Sequence, residues 1–529
     1  MRANPFTDAL FQLVRSLEKS EKRHFKLYIT RSSAKEDLKI IQLFDAMDKL
    51  PEYDEKVLMK KLSPITKPQL ANLKTHLYKQ LLAGLRLLKT SENIDLQLSE
   101  QLDYARVLYN KGLKLQSLKI LEKAKEMAKA NHKYNYLAQV ISLEKKIETL
   151  HITRSAQEKT DLLAAEALEI STHIDSVVKL SNLALLLYRW FIRNGHARNE
   201  ADEKDIRAFF KENLPPHADS VTDFYEKLYL FQSYGWYAFI RQDFIMYYRY
   251  SKKWIELYDE KPEMIAVEPG HYVKGMHNLL NAHFDLRNFE GFNNTLKKYE
   301  AYAQTDLAKV HDNFWAHTFI YINSARINQH LMIGTFREGS ALVPKVEEEL
   351  QAYSLYVDTH RILVFNYKFA TLYFGAGEFS KSIDYLQRIM NVSVPDLRVD
   401  LQCYARLLHL MAHYELGNFE IMEYLSKSVY RFMAKMKNLT VVEEEMFRFL
   451  RNSFNVSPRQ LKPEFEKFLD KIKHLEKNRF ETRAFAYLDV VSWVESKVLG
   501  KPMTEIVYEK YLQSKRRIRS RKEKTGSEL

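Results

Sequence analysis

The chain has 529 residues, 46% of them hydrophobic, a formal net charge of +13, and only 14 glycines, 13 prolines and one cysteine. So little glycine and proline argues against a turn-rich β-sandwich or long disordered linkers, and one cysteine excludes an intramolecular disulfide framework or a cysteine-rich zinc site. The charge is uneven: residues 1–90 carry 18 Lys/Arg against 10 Asp/Glu, residues 512–529 carry 7 against 2, and residues 91–511 carry 56 of each. Phosphate-seeking behaviour is therefore expected at the two ends and not in the long neutral middle.

Met1 to Phe6 leads directly into an amphipathic segment charged at Arg15, Glu18 and Lys19, without the apolar core and small-residue cleavage site of a signal peptide. The longest apolar stretch, Leu183 to Ile192, is interrupted by Arg189 and is too short to span a bilayer. A cytoplasmic protein with no membrane span is expected. Asn4 and Pro5 form a helix start, continued by Leu10, Leu13, Val14 and Leu17. Helices are predicted over 36–50, stopped by Pro51, and over 54–62, opened by Asp54. Thr66 and Gln69 form a capping box ahead of a long helix whose buried stripe is Leu70, Leu73, Leu77, Leu81, Leu85 and Leu88.

The opposite face of that helix shows Gln69, Asn72, His76, Lys79 and Arg86, residue types that read base edges and phosphates. With the short helix before it and the turn Ser63-Pro64-Ile65-Thr66, it has the outline of a helix-turn-helix. Any solvated helix face has a similar composition, so the simpler reading of residues 1–90 is a basic helical bundle that caps a solenoid.

From residue 91 to 511 the chain reads as helix after helix. Residues 224–258 hold 14 Phe, Tyr and Trp in 35 positions. Stripes of this kind usually pack a core, yet so many tyrosines are hard to bury with their hydroxyls satisfied, and Tyr and Trp anchor interfaces. Tyr234, Trp236, Tyr237, Tyr247, Tyr250 and Trp254 are the candidate partner-binding residues. A punctuation mark then recurs: Gln242-Asp243-Phe244, Arg287-Asn288-Phe289, Gly334-Thr335-Phe336, Gly377-Glu378-Phe379 and Gly417-Asn418-Phe419. The phenylalanines are 45, 47, 43 and 40 residues apart, an interval suited to stacked helical hairpins. A residue at positive φ should close each first helix, and the aromatic should open the second and fill the gap between them.

Ala370, Tyr373, Gly377, Phe379, Ser382, Leu386 and Pro395 resemble a tetratricopeptide repeat, and Ala105, Ser117, Leu121 and Ala124 resemble a second copy. Met422 and Leu410 depart from the family's small residues, and the interval exceeds its repeat of about 34. The resemblance implies an all-α solenoid whose curved groove binds peptides or other proteins, and it implies no chemistry.

Residue by residue, no catalytic or metal centre emerges. His409 and His413 share a helix face, but no glutamate lies between them and no third ligand stands at useful spacing. Cys403 falls on an apolar stripe with Leu407, Leu410 and Tyr414, as a small buried hydrophobe does. Glu443 to Glu445 follow Thr440 at capping-box spacing, and Glu347 to Glu349 follow Pro344, so both triplets suit a first helical turn. Phosphate loops, dinucleotide fingerprints and nucleophile elbows are absent from the sequence. The tail, 512–529, concentrates Lys515, Arg516, Arg517, Arg519, Arg521 and Lys522 and reads as a solvated, disordered end able to dock on phosphates.

The expectation is thus an all-α protein with a tetratricopeptide-like solenoid of period about 40–47 over 91–511. It is expected to act without catalysis or cofactor as a scaffold for an unidentified protein or peptide. The alternative is a regulator that touches nucleic acid through its basic ends.

Overall fold

The computed structural model describes residues 8–30, 35–62, 64–150, 157–216, 218–310, 312–392, 399–436, 439–453, 458–478, 480–481, 485 and 488–525, with the side chains from 515 onward outside that description. Among the described residues every regular element is helical. The chain forms two compact units, one ending at Ser171 and one beginning at Thr172, so the stretch 91–511 contributes to both.

The first unit opens with α1 (Ala9–Ser16), capped by Asp8, which accepts from the Phe11 amide at 3.1 Å. The expected start at Asn4 and Pro5 lies outside the described residues. Then come α2 (Lys19–Thr30), α3 (Lys35–Asp48), α4 (Glu55–Lys61) and α5 (Lys67–Lys89). Asp54 caps α4, and Thr66 and Gln69 close the expected capping box on α5. Leu70, Leu77 and Leu81 of α5 are buried with Phe25, Ile29 and Phe44 of α2 and α3, while Leu73 and Leu85 sit half-buried at the margin. α5 packs chiefly on α2 and α3, and α4 packs on α3. A second core joins α6 (Ile94–Asn110), α7 (Lys114–Ala130) and α8 (Tyr134–Leu150) through Leu102, Ala105, Leu121, Ala124 and Val140. Lys125 ties these helices to α9 (Gln157–Asn194), which runs on into the second unit, by pairing with Glu144 at 2.6 Å and Glu166 at 2.9 Å.

The second unit continues with α10 (Glu200–Asn213), α11 (Phe224–Ile240), α12 (Phe244–Glu260), α13 (Met264–Val267), α14 (Pro269–Asp285) and α15 (Phe289–Ala303). It proceeds through α16 (Asp306–Lys309), α17 (Asp312–Ile333), α18 (Phe336–Ala341), α19 (Val343–Ala352), α20 (Thr359–Gly375) and α21 (Phe379–Met390). It ends with α22 (Val399–Glu415), α23 (Phe419–Lys435), α24 (Val441–Ser453), α25 (Pro458–Lys473), α26 (Val490–Leu499) and α27 (Met503–Thr525). Each helix packs mainly on its neighbours in the chain.

All five phenylalanines of the punctuation series are the first residues of helices, α12, α15, α18, α21 and α23. The residue two before each has positive φ: Gln242 at 56°, Arg287 at 50°, Gly334 at 79°, Gly377 at 82° and Gly417 at 71°. At four of these turns the next amide bonds back five residues, Asp243 to Ala238, Asn288 to His283, Glu378 to Tyr373 and Asn418 to His413, at 2.8–3.1 Å. That closure satisfies helix-end carbonyls. Leu113 and Lys133 make the same bond in the first unit, to Leu108 and Ala128. The gap-filling role of the ring is graded. Phe336 is 2% exposed against Gly375, whereas Phe419 leans on Tyr414 and remains 52% exposed.

The two segments that resemble each other in sequence also share a hydrogen bond. Ser117 Oγ donates to the Ala105 carbonyl and Ser382 Oγ to the Ala370 carbonyl, each at 2.8 Å and each fully buried. The small alanine lets the second helix approach closely enough for the serine to reach across. Pro395 of that pattern lies outside the described residues.

Positive φ at a non-glycine costs roughly 1–2 kcal/mol for a left-handed conformation. Arg287 holds such a conformation while its side chain is exposed. Arg287→Gly is therefore expected to stabilise the protein by about 1 kcal/mol, seen as a higher midpoint in urea at unchanged slope. An unchanged or lower midpoint would contradict the strain at this turn.

The last two helices add long-range contacts to the neighbour-by-neighbour pattern. Trp493 of α26 donates to Glu415 Oε1 at 2.6 Å, and Lys497 pairs with Glu415 Oε2 at 2.5 Å, at the end of α22. α27 then lies along three earlier turns. Thr504 Oγ1 donates to the Gly375 carbonyl at 3.4 Å, its backbone covers Gly334, and Tyr511 meets Phe289 with ring centroids 4.6 Å apart.

Candidate functional site

The second unit contains a groove of about 1180 Å³, walled by the end of α9, by α11, α12, α14, α17, α20 and α22, and by Lys435, Phe485, Asp489 and Met503 beyond them. One end is aromatic. Trp236 of α11 packs on Tyr188 at 5.4 Å and on Phe191 at 5.7 Å, and Phe239 lies 5.3 Å from Phe191. Tyr188 and Ile192 are 46% and 61% exposed there.

The middle is polar and cationic. On α14, Lys274, His277 and Asn281 follow one another at helical spacing, as do Tyr321, Ser324 and Asn328 on α17, and Arg361 and Lys368 on α20; all of them line the groove. The His277 ring stacks on Tyr321 at 3.9 Å with 12° between planes, and Asn281 Nδ2 lies 3.0 Å from His277 Nε2. The Lys274 ammonium stands 5.8 Å from the centre of the Tyr321 ring. Arg361 Nη2 donates to the Tyr321 hydroxyl at 3.5 Å and pairs with Asp358. Lys368 donates to Ser324 Oγ at 2.8 Å, to the Ser324 carbonyl at 3.3 Å and to Asn328 Oδ1 at 2.5 Å.

These side chains feel one another. Burial, and then the charges of Lys274, Lys368 and Arg361, hold His277 well below the ordinary imidazole range, so it is neutral at pH 7. Burial works to raise the Tyr321 phenol, but Lys274 and Arg361 outweigh it and bring it below its usual value. Lys368 keeps some accessible surface, yet the groove walls displace most of the surrounding water. Its three acceptors are neutral, and desolvation pushes its pKa down to about 7. Asp285, also in the wall, is raised to about 7 by burial, against the pull of Arg287. Seven Lys/Arg and four Asp line the groove, with no Glu. The even balance of residues 91–511 thus coexists with a concavity lined by more bases than acids.

A lysine with a pKa near 7 is largely the neutral, nucleophilic amine at pH 7.5, whereas an ordinary lysine is protonated. Acetic anhydride at limiting dose is expected to modify Lys368 ahead of Lys345, which is 79% exposed, as read by peptide mass spectrometry. Labelling of Lys345 first would contradict the lowered pKa.

The sequence-predicted aromatic residues divide. Trp236, Tyr247 and Trp254 line the groove, but Tyr247 is 5% and Trp254 2% exposed, the latter with its indole nitrogen packed toward Gly275. Tyr237 is buried, stacked on Phe210 at 4.1 Å and covered by the Arg241 guanidinium at 4.9 Å. Tyr234 and Tyr250 stack on each other at 4.3 Å away from the groove. Gln69, Asn72, His76, Lys79 and Arg86 are all exposed along α5, although Gln69 is engaged in the cap and Arg86 pairs with Asp103 at 3.2 Å. Ser63 of the expected helix-turn-helix, and the side chains of Lys515, Arg516, Arg517, Arg519, Arg521 and Lys522, lie outside the described residues; the backbone of α27 is helical to Thr525.

The residues set aside from chemistry have packing roles. Cys403 is fully buried. Glu443 accepts from the Thr440 amide at 2.8 Å and from the Tyr404 hydroxyl at 3.1 Å. Glu347 accepts from the Tyr385 hydroxyl at 2.8 Å and Arg388 at 2.7 Å, joining α19 to α21. His409 and His413 have ring centroids 4.5 Å apart, and among the described residues no group of three His, Cys, Asp or Glu is placed to hold a metal ion. None of the described helices is long and apolar enough to cross a membrane. Comparison of the sequence with protein-family models and with curated proteins found no match.

Proposed function

We propose that this protein is a non-catalytic, cytoplasmic interaction scaffold of tetratricopeptide-like character, whose helical hairpins stack as a solenoid and take a segment of a protein partner in the groove. The observation that carries this reading is the groove itself. At about 1180 Å³ it exceeds the roughly 300–1,000 Å³ of small-molecule pockets, and α11, α12, α14, α17, α20 and α22 all contribute to its wall. An exposed aromatic end beside a polar floor supplies anchor and orientation separately. The recurrent turn and the shared Ser-to-Ala hydrogen bond support the hairpin stacking.

The test is site-specific photocrosslinking in cells, with the reactive residue at Val364 in the groove or at Lys345 on the outside. A protein crosslinked from Val364 and not from Lys345, and lost when Tyr188 and Trp236 are both changed to Ala, is the expected result. Equal capture from both positions counts against the groove.

A second reading rests on the exposure of Gln69, Asn72, His76 and Lys79 along one face of α5. Under it the first unit contacts nucleic acid and the second senses a partner. It requires DNA or RNA binding that weakens steeply with salt, by roughly 0.7–0.9 per phosphate contact on log–log axes. Salt-independent retention, or none, removes it.

A further inference from the structure

The groove's charge pattern narrows what it binds. Lys274 and Arg361 are placed at the Tyr321 ring, and Lys368 at Ser324 and Asn328, one to two turns further along α17. Arg361 and Lys368 are two helical turns apart on α20, about 10 Å along its axis, and Lys274 reaches in from α14. A single phosphate calls for donors gathered around one dianion, whereas charges strung along a groove match carboxylates on an extended chain, which advances about 3.3 Å per residue. Among the described residues no ion pair engages Lys274, and Lys368 is held only by neutral oxygens. Only Arg361 has a carboxylate, the half-exposed Asp358. Lys274 and Arg361 are therefore held in one concavity with the Lys368 amine, and Asp358 and Asp400 are the acids that share it. The protein's own basic tail carries the same sign and is a poor occupant.

Resting on the groove reading above, we propose that the occupant is an acidic segment of a partner protein, in extended conformation. Asp or Glu side chains about three residues apart sit on Lys274, Arg361 and Lys368, and an aromatic or branched aliphatic side chain of the same segment packs against Trp236 and Phe239. Binding places anions next to Lys368 and restores its protonated form. The groups that face this site are Lys274 and His277 on α14, His317 and Tyr321 on α17, Asp358, His360, Arg361 and Lys368 around α20, and Asp400 on α22. Tyr321 and His277 supply a flat neutral floor on which the peptide backbone lies between the charges.

The test is panning of a random dodecapeptide phage library on the immobilised full-length protein, followed by fluorescence anisotropy of recovered peptides. The expected result is enrichment of Asp and Glu beside an aromatic or aliphatic residue, binding that weakens with salt, and a loss of tenfold or more in K274M and in K368M. Both variants keep helix shape and volume, and unchanged circular dichroism melting confirms their folding. Peptides that depend on Trp236 but show no acidic bias, or bind K274M and K368M as well as wild type, overturn this inference and leave the groove reading intact. Recovery of no Trp236-dependent peptide overturns both. Binding only when Glu is replaced by phosphoserine, or binding of oligo-dT12 in place of any peptide, also overturns it.

Discussion

Trp493→Ala is expected to destabilise the second unit by about 3–5 kcal/mol, the usual cost of emptying a large aromatic site. Trp493 is 2% exposed and sits edge-on to Phe465 at 5.7 Å and to Tyr414 at 6.0 Å, while its indole N–H holds Glu415. Truncation removes the ring contacts and leaves Glu415, whose side chain is 8% exposed, with Lys497 alone. A buried carboxylate deprived of one donor adds its desolvation penalty to the cavity. Urea unfolding followed by circular dichroism measures the loss. A change below about 1 kcal/mol would mean that α26 is dispensable for the unit.

Gly334→Ala should be the second most damaging change, by roughly 2–5 kcal/mol from left-handed strain and overpacking together. The φ of 79° already disfavours a side chain, and a Cβ there would lie 2.8 Å from the Thr504 carbonyl oxygen and 3.0 Å from the Tyr508 amide nitrogen. Those are backbone atoms of α27 and cannot swing aside. Gly377 provides the control: its φ is 82° but its surroundings are open, so Gly377→Ala carries the conformational part alone, about 1–2 kcal/mol. The difference between the two variants measures how tightly α27 rests on the turn. Equal losses would show that it does not press there.

Much of the local structure was legible because it is written in short-range terms. The capping box at Thr66, the Thr440–Glu443 contact, the cap at Asp54, and the five Phe-initiated helices follow from residues within a turn of one another. Gln242 and Arg287 were readable only by alignment with the glycine turns, since neither residue type advertises positive φ. The tyrosine-rich segment was legible as important but not as to which side chains face the groove. α11 is apolar around most of its circumference, so periodicity could not separate Trp236 from Tyr237, its neighbour on the other side. Lys274, His277, Tyr321, Arg361 and Lys368 were missed for a different reason. Each helix shows its polar pair at i, i+3 or i, i+7, an ordinary solvated face until three such faces are brought together. Net charge counted along the chain is blind to such segregation by face. The docking of α26 and α27 lay beyond sequence reading altogether: Trp493 and Glu415 are 78 residues apart, and Thr504 and Gly375 are 129 apart.

That last separation bears on biosynthesis. α27 covers the turns at Phe289, Gly334 and Gly375, so those turns are made long before the helix that seals them leaves the ribosome. Until then Phe289 and the backbone around Gly334 lack that cover. A stop codon between residues 499 and 503 would therefore release a chain with every earlier helix present and these three turns uncovered.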